Sequence, residues 1–189
     1  MIKIRLEQKC KSFLEMILMS DRKLRKLVLA ALFAALCTVM TLVIQIPSAM
    51  QGYLNLGDCA VLLAAWVLGP WYGGAAAGIG SMLADLLSYP LYAPATLVIK
   101  FAMGIAAGGI FRALRAVNGR TLPAQLVSGV AAELIMVLGY FGYACLLLGE
   151  GLAAAASVAG NLTQGAVGLV LAVVVYGLLR RSRVLAAIE

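Results

Sequence analysis

The positions of the charged residues constrain the fold of this chain more than any other feature of its sequence. Long apolar stretches follow one another, and nearly all charged residues lie between these stretches or beyond them. Charged residues make up only 12% of the 189 residues. A soluble domain carries about 25%, so this chain has too few charges to cover a water-facing surface. The sequence therefore predicts an all-α integral membrane protein whose apolar surface faces lipid.

The apolar stretches predict one domain, residues 27–180, built as a bundle of six transmembrane helices. The predicted spans are 27–46, 59–69, 72–88, 94–114, 122–148 and 152–179. The second is short for a bilayer, which needs about 20 residues, unless its helix begins near Leu54 or neighbouring helices shield it. Residues 1–26 are basic and amphipathic, and they form either an interfacial helix or a solvated tail. Residues 181–189 form a second tail.

The basic residues predict the orientation of this bundle. Six spans place both termini on one side, and every lysine and arginine except Lys100 then lies on that side. The loops on the other side, 47–58, 88–93 and 149–151, carry no basic residue. The positive-inside rule makes the basic side cytoplasmic. The net charge of +7 thus indicates membrane orientation rather than nucleic-acid binding, and we expect the protein in the plasma membrane of a bacterial cell.

Several kinds of chemistry are missing from the sequence. It has no histidine, and its four cysteines are scattered without a CxxC pair. We therefore expect no metal site and no cofactor. The sequence also lacks HExxH and a GxxxxGK[ST] phosphate loop. The chain is therefore not expected to be an enzyme, and ATP hydrolysis would require separate proteins.

A few polar residues lie inside the predicted spans. A charge at the centre of a membrane helix costs about 2.5–3.5 kcal/mol on insertion scales, so such residues usually face protein or a cavity. Asp85 lies near the outer end of span three, Lys100 in span four and Glu133 near the middle of span five. Asn161 and Gln164 are one turn apart in span six and share a helix face.

Most of these groups fall in the outer half of the bundle, beneath the 47–58 loop that also carries Asp58. We interpret them as an outward-facing pocket roofed by that loop. The predicted substrate-binding residues are Lys100, Glu133, Asn161, Gln164, Asp85, Tyr140, Asn55 and Tyr53. The structural alternative is that Lys100 pairs with Glu133 or Asp85 to fix helix packing, and that the amides join neighbouring helices.

Three sequence features resemble a known family. They are the pairs Ala30-xxx-Ala34 and Ala31-xxx-Ala35 in span one, the stretch LNLGD at 54–58 and the stretch APATLVIK at 93–100. Over residues 27–180 the chain resembles the substrate-binding S components of energy-coupling factor (ECF) transporters, a class of ABC importers. The likeness is greatest to the riboflavin-type and hydroxymethylpyrimidine/pyridoxine-type branch.

This resemblance implies a function and partners. An S component binds one vitamin or vitamin precursor in an outer pocket, beneath the loop that follows span one. It docks through the small-residue face of span one onto a transmembrane scaffold protein that carries two cytoplasmic ATPases. The resemblance implies that Ala30, Ala31, Ala34 and Ala35 form this docking face. In the pocket, Lys100 would meet an anionic or acceptor group of the ligand, and Glu133, Asn161 and Gln164 would recognise its donors and ring nitrogens.

Two other functions remain open from the sequence. One is a stand-alone secondary carrier for a small polar metabolite, coupled to protons through Asp85 or Glu133. Such carriers usually contain internal repeats, and this chain has no convincing halves. The other is a membrane scaffold that transports nothing, in which the buried charges only hold helices together.

Overall fold

The computed structural model describes the backbone of residues 2–43, 45–47 and 53–182, and the side chains of residues 23–43, 45 and 55–182. The six predicted helices are confirmed. The elements in chain order are α1 (Ile2–Val43), β1 (Ile46–Pro47), β2 (Tyr53–Leu54), α2 (Gly57–Leu68), α3 (Pro70–Ser88), α4 (Ala93–Asn118), α5 (Thr121–Gly142) and α6 (Val158–Arg181). A π-helical turn, Tyr143–Leu147, extends α5, and a 3-10 helix, Gly151–Ser157, leads into α6.

The two short strands form the only deviation from a helical architecture in the described residues. They pair antiparallel, with Ile46 opposite Leu54, between α1 and α2. We call the end of the bundle that carries this hairpin the loop end. The opposite end, where α4 and α6 finish and α5 begins, is called the arginine end, because it carries Arg112, Arg115, Arg120, Arg180 and Arg181.

Four helical stretches are long and apolar enough to cross a bilayer. They are Lys23–Val43, Ala93–Asn118, Thr121–Leu147 and Gly151–Arg181. Large apolar side chains remain exposed along them, among them Leu32, Val98 and Val170. A surface this rich in large apolar side chains is unfavourable in water, so we conclude that it faces lipid.

Helix α2 occupies the centre of the bundle. It packs against α1, α3, α4 and α6, and every one of its 12 residues except Val67 is buried. Its length of about 18 Å is well short of the roughly 30 Å hydrocarbon layer. Of the two explanations offered for this short span, shielding by neighbouring helices is therefore correct. The other, a helix that starts near Leu54, is wrong, because α2 begins at Gly57.

Glycines allow α3 and α4 to pack closely. A Cβ atom at Gly78 would lie 2.8 Å from the carbonyl oxygen of Leu97, and one at Gly74 would lie 3.0 Å from that of Phe101. Since real Cβ atoms do not approach backbone oxygens so closely, alanine at Gly78 would push the helices apart. Small residues at such contacts are typical of membrane bundles, where close backbone approach replaces the hydrophobic effect.

An aromatic layer closes the bundle core toward the arginine end. The rings of Trp66, Phe111 and Tyr176 lie with their centroids 5.7–5.9 Å apart. The indole nitrogen of Trp66 donates a hydrogen bond to Ser128 Oγ at 3.0 Å. This layer joins α2, α4, α5 and α6 and separates the polar residues of the loop end from the arginine end.

Candidate functional site

A buried carboxylate, Asp58, organises the polar residues of the loop end. It lies in the first turn of α2 and is completely buried, where the positive end of the helix dipole favours a negative charge. One of its oxygens pairs with the ammonium of Lys100 from α4. The other accepts a hydrogen bond from Gln164 Nε2 of α6 at 2.6 Å. Asp58 therefore joins three helices.

Gln164 also ties the loop before α2 to this site. While its nitrogen serves Asp58, its Oε1 accepts the backbone N–H of Asn55 at 2.9 Å. The side chain of Asn55 in turn accepts the N–H of Gly57 at 2.8 Å, at the start of α2. A single amide on α6 thus contributes to the buried ion-pair network and positions the loop above it.

A second polar group lies next to the first. Thr96 Oγ1 donates a hydrogen bond to the carboxylate of Asp85 from α3. Because that proton is committed, the hydroxyl of Tyr140 is the donor in its 2.9 Å contact with Thr96. The ammonium of Lys100 lies 5.7 Å from the centre of the Tyr140 ring, within the range of a cation–π contact. The two groups therefore form one network across α2, α3, α4, α5 and α6.

Glu133 of α5 lies beside this network, but the network does not supply hydrogen bonds to its carboxylate. Its side chain is 8% exposed, and neither carboxylate oxygen has a hydrogen-bond partner among the described residues. It faces α6, where a Cβ atom at Gly165 would lie 2.8 Å from Glu133 Oε2. The charges of Asp58 and Lys100 both act on it. Buried carboxylates are normally paired or hydrogen-bonded, because desolvation is costly.

Most of the predicted binding residues come together here. Five of them have buried or half-buried side chains that lie in the network or directly beside it: Lys100, Glu133, Gln164, Asp85 and Tyr140. Asn55 joins through its backbone, and Asn161, one turn from Gln164, is half-buried. The side chain of Tyr53 lies outside the described residues.

Two residues of the network were not among the predicted binding residues. Asp58 was assigned to the roof loop, yet it lies in α2 and is the partner of Lys100. The ion pair that the structure describes for Lys100 is with Asp58, a residue that the predicted pairing with Glu133 or Asp85 did not include. Thr96, a neutral residue in an apolar stretch, gave no signal of its own. The sequence did contain an indication that Asp58 belongs to the site, since it is a carboxylate at the start of an unusually short apolar stretch.

The predicted docking face on α1 divides into two halves. Ala30 is buried against Ala64, Leu68 and Ala76. Ala34 is half-buried and packs against the same cluster, and Thr38 Oγ1 bridges its carbonyl oxygen and that of Gly80 at 3.0 and 2.8 Å. Ala31 and Ala35 are exposed. Ala30 and Ala34 therefore contribute to packing within the protein, and Ala31 and Ala35 are the exposed alanines of the predicted face.

Comparison with known proteins identifies the family. The family model described as "ECF-type riboflavin transporter, S component" matches residues 21–181. The chain belongs to this family. This S component is thus a membrane substrate-binding subunit of the ECF transporter class and not an enzyme, and members of the class work with a scaffold protein and ATPases.

Two further proteins are similar to this chain. An uncharacterized protein from Pyrococcus woesei is 39% identical over 135 residues, which cover 71% of this S component and 87% of the relative. A solved S component of a bacterial ECF transporter superposes with a TM-score of 0.62 at 17% identity, covering 84% of this chain and 97% of that one. The resemblance inferred from the sequence is confirmed, and the solved relative supports the fold.

Proposed function

We propose that this S component captures a small vitamin or vitamin precursor in the network around Glu133 and delivers it to an ECF-type ABC importer. The observation that carries the proposal is the carboxylate of Glu133, which is buried without a hydrogen-bond partner among the described residues. Leaving such a group unsatisfied costs about 1–3 kcal/mol or more. A ligand with N–H or O–H donors would recover that cost on binding.

The network also limits the chemistry of the ligand. Lys100 and Gln164 already serve Asp58, so they are less available to an incoming anion than the sequence suggested. Glu133 offers two acceptors, and the half-buried Asn161 can add a donor and an acceptor. This set fits a neutral, planar heterocycle with a donor edge, which riboflavin-like and pyrimidine- or pyridoxine-like compounds provide. The description of the family makes riboflavin the first compound to test.

The experiment that tests this function begins with the purified protein. Small molecules released on denaturation are identified by mass spectrometry, and riboflavin, pyridoxine and hydroxymethylpyrimidine are titrated calorimetrically. We expect one of these or a close analogue to bind with 1:1 stoichiometry. Failure to bind any released or added heterocycle would contradict the proposal.

The orientation of the bundle yields a prediction of its own. We propose that the loop end faces outward and that the arginine end and both termini are cytoplasmic, because the basic residues gather there. In a variant without its native cysteines, a cysteine at the exposed Leu91 should react with an impermeant maleimide in intact cells. A cysteine at Asn118 should react only after lysis. The opposite pattern would invert the topology and contradict an outward-facing pocket.

We also propose that the exposed half of the α1 stripe, Ala31 and Ala35, docks on the scaffold protein that carries the two ATPases. Ala31→Leu should reduce cellular uptake by about tenfold or more and leave ligand affinity of the isolated protein unchanged, since a bulky residue blocks close helix contact. Ala34→Leu is the matched control. Because Ala34 packs against the cluster of Ala30, Ala64, Leu68 and Ala76, this variant should instead lower thermal stability. Equal loss of affinity and uptake in Ala31→Leu would rule out the docking role.

A proton-coupled carrier is the second candidate, and the observation that favours it is the Glu133 carboxylate, for which the described part of the chain offers no hydrogen-bond partner. Uptake in cells is measured with and without an ECF scaffold and its ATPases. Uptake that persists without them would support the carrier and contradict the importer.

A further inference from the structure

A cleft at the arginine end has the features of an anion-binding site. It lies between the start of α5 and the last turns of α6 and has a volume of about 530 Å³, within the range of roughly 300–1,000 Å³ typical of ligand pockets. Arginines line it, and none of the described residues that line it is acidic. The aromatic layer of Trp66, Phe111 and Tyr176 separates it from the network around Glu133, so it is a different site.

The start of α5 supplies the first element of this site. No side chain caps the helix, and its first turn contains no acidic residue. The first N–H groups of a helix have no intrahelical partners and carry its partial positive charge. Such an end favours an anion with oxygen acceptors.

Two guanidinium groups flank the same helix start. Arg120 immediately precedes α5 and lines the cleft. Arg180 reaches it from α6, where its Nη1 donates a hydrogen bond to Thr121 Oγ1 at 2.7 Å. The hydrogen bond holds a positive charge over the first residue of α5. Guanidinium groups bind phosphate oxygens in this way, often with two parallel hydrogen bonds.

The deepest polar group of the cleft points independently to a ligand. Gln125 lines the cleft and is only 3% exposed. Its Nε2 is buried without a hydrogen-bond partner among the residues that the structure describes. Since an unsatisfied buried donor is costly, the cleft lacks an acceptor that a bound anion would supply.

We propose that this cleft binds the phosphate group of an anionic phospholipid. The phosphate oxygens would accept hydrogen bonds from Gln125, Arg180 and the backbone N–H groups of Thr121 and Leu122, since Pro123, the next residue of α5, has no N–H. A lipid rather than a soluble phosphate is favoured by the surroundings, because Leu122 and Leu178 beside the cleft are exposed by 53% and 60% and continue into the lipid-facing surface. Basic pockets between transmembrane helices at the membrane surface bind lipid headgroups by this chemistry.

The test measures lipid binding to the purified full-length protein in detergent by native mass spectrometry. Phosphatidylglycerol is compared with phosphatidylcholine, and inorganic phosphate is added as a competitor. We expect one phosphatidylglycerol to be retained in preference to phosphatidylcholine. Arg180→Gln and Gln125→Leu should each weaken that binding by about fivefold, and Gln125→Glu, which adds a negative charge, should weaken it further.

Arg181→Gln is the matched control, because it removes the same charge from the neighbouring exposed residue, which does not line the cleft. It should change the affinity by less than about twofold. Equal effects of Arg181→Gln and Arg180→Gln would overturn the site, as would equal retention of the two lipids. Complete displacement of phosphatidylglycerol by millimolar inorganic phosphate would overturn the lipid as the source of the phosphate. Arg180 is exposed, so its substitution tests the site even if a Gln125 variant fails to fold.

Discussion

Glu133→Gln is expected to weaken ligand binding by about 10- to 100-fold while leaving the ligand-free protein at least as stable as wild type. The two effects have opposite signs for one reason. In the ligand-free protein the substitution replaces a buried carboxyl group whose oxygens have no hydrogen-bond partner among the described residues. In the proposed complex, where the ligand's donors favour the carboxylate form, it removes a charged acceptor worth about 1.5–3 kcal/mol. Calorimetric titration with the identified ligand and thermal unfolding in detergent measure the two quantities.

Glu133→Asp is the control that separates the effect of losing the carboxylate from the effect of moving it. It retains the carboxylate but withdraws it by one methylene group, so affinity should fall to an intermediate value. A Glu133→Gln protein that binds as tightly as wild type would remove Glu133 from the binding site. A protein that loses both affinity and stability would indicate a structural role for this carboxylate.

Lys100→Met is expected to lower the free energy of unfolding by about 3–5 kcal/mol, because it leaves the carboxylate of Asp58 buried without its cation. The double variant Asp58→Asn/Lys100→Met should recover much of this loss, since neither charge then remains. Unfolding by heat and by denaturant is measured for both proteins and for Lys26→Met, which changes an exposed lysine and should have little effect.

This expectation differs from the one that the sequence alone supports. The sequence-based interpretation assigned Lys100 to the ligand, with pairing to Glu133 or Asp85 as the structural alternative, and on the first interpretation its substitution would change affinity more than stability. If the double variant proves as unstable as Lys100→Met alone, the ion pair with Asp58 is not what holds Lys100 in place.

The helical bundle could be predicted from the sequence because lipid imposes a simple rule. Apolar stretches of sufficient length must be helices, and charges must lie at their ends. The polar residues inside the spans were also expected to gather, and five of the predicted side chains do lie in or beside one network, while their role in binding a ligand stays a prediction. None of this required knowledge of which helices are neighbours.

The partner of Lys100 could not be predicted for that same reason. An ion pair between α2 and α4 depends on the central position of α2, and a run of apolar residues carries no information about its place in a bundle. The orientation of α1 about its own axis could not be predicted either. Ala30 and Ala31 differ by about 100° around the helix axis, and in a lipid environment both faces are apolar, so the sequence cannot tell which pair packs inward.

The hydrogen bonds of Gln164 bear on how fast a ligand is captured. The same amide holds the backbone of Asn55 with its oxygen and the carboxylate of Asp58 with its nitrogen. If a ligand enters the proposed site from the loop end, we expect the backbone of Asn55 to separate from Gln164 of α6 before the ligand can pass. That step breaks a hydrogen bond in a region where little water is available to replace it. The energetic cost of breaking this bond therefore lowers the association rate constant of the ligand. The complex closes by re-forming the same bond, and the residence time of the ligand lengthens accordingly.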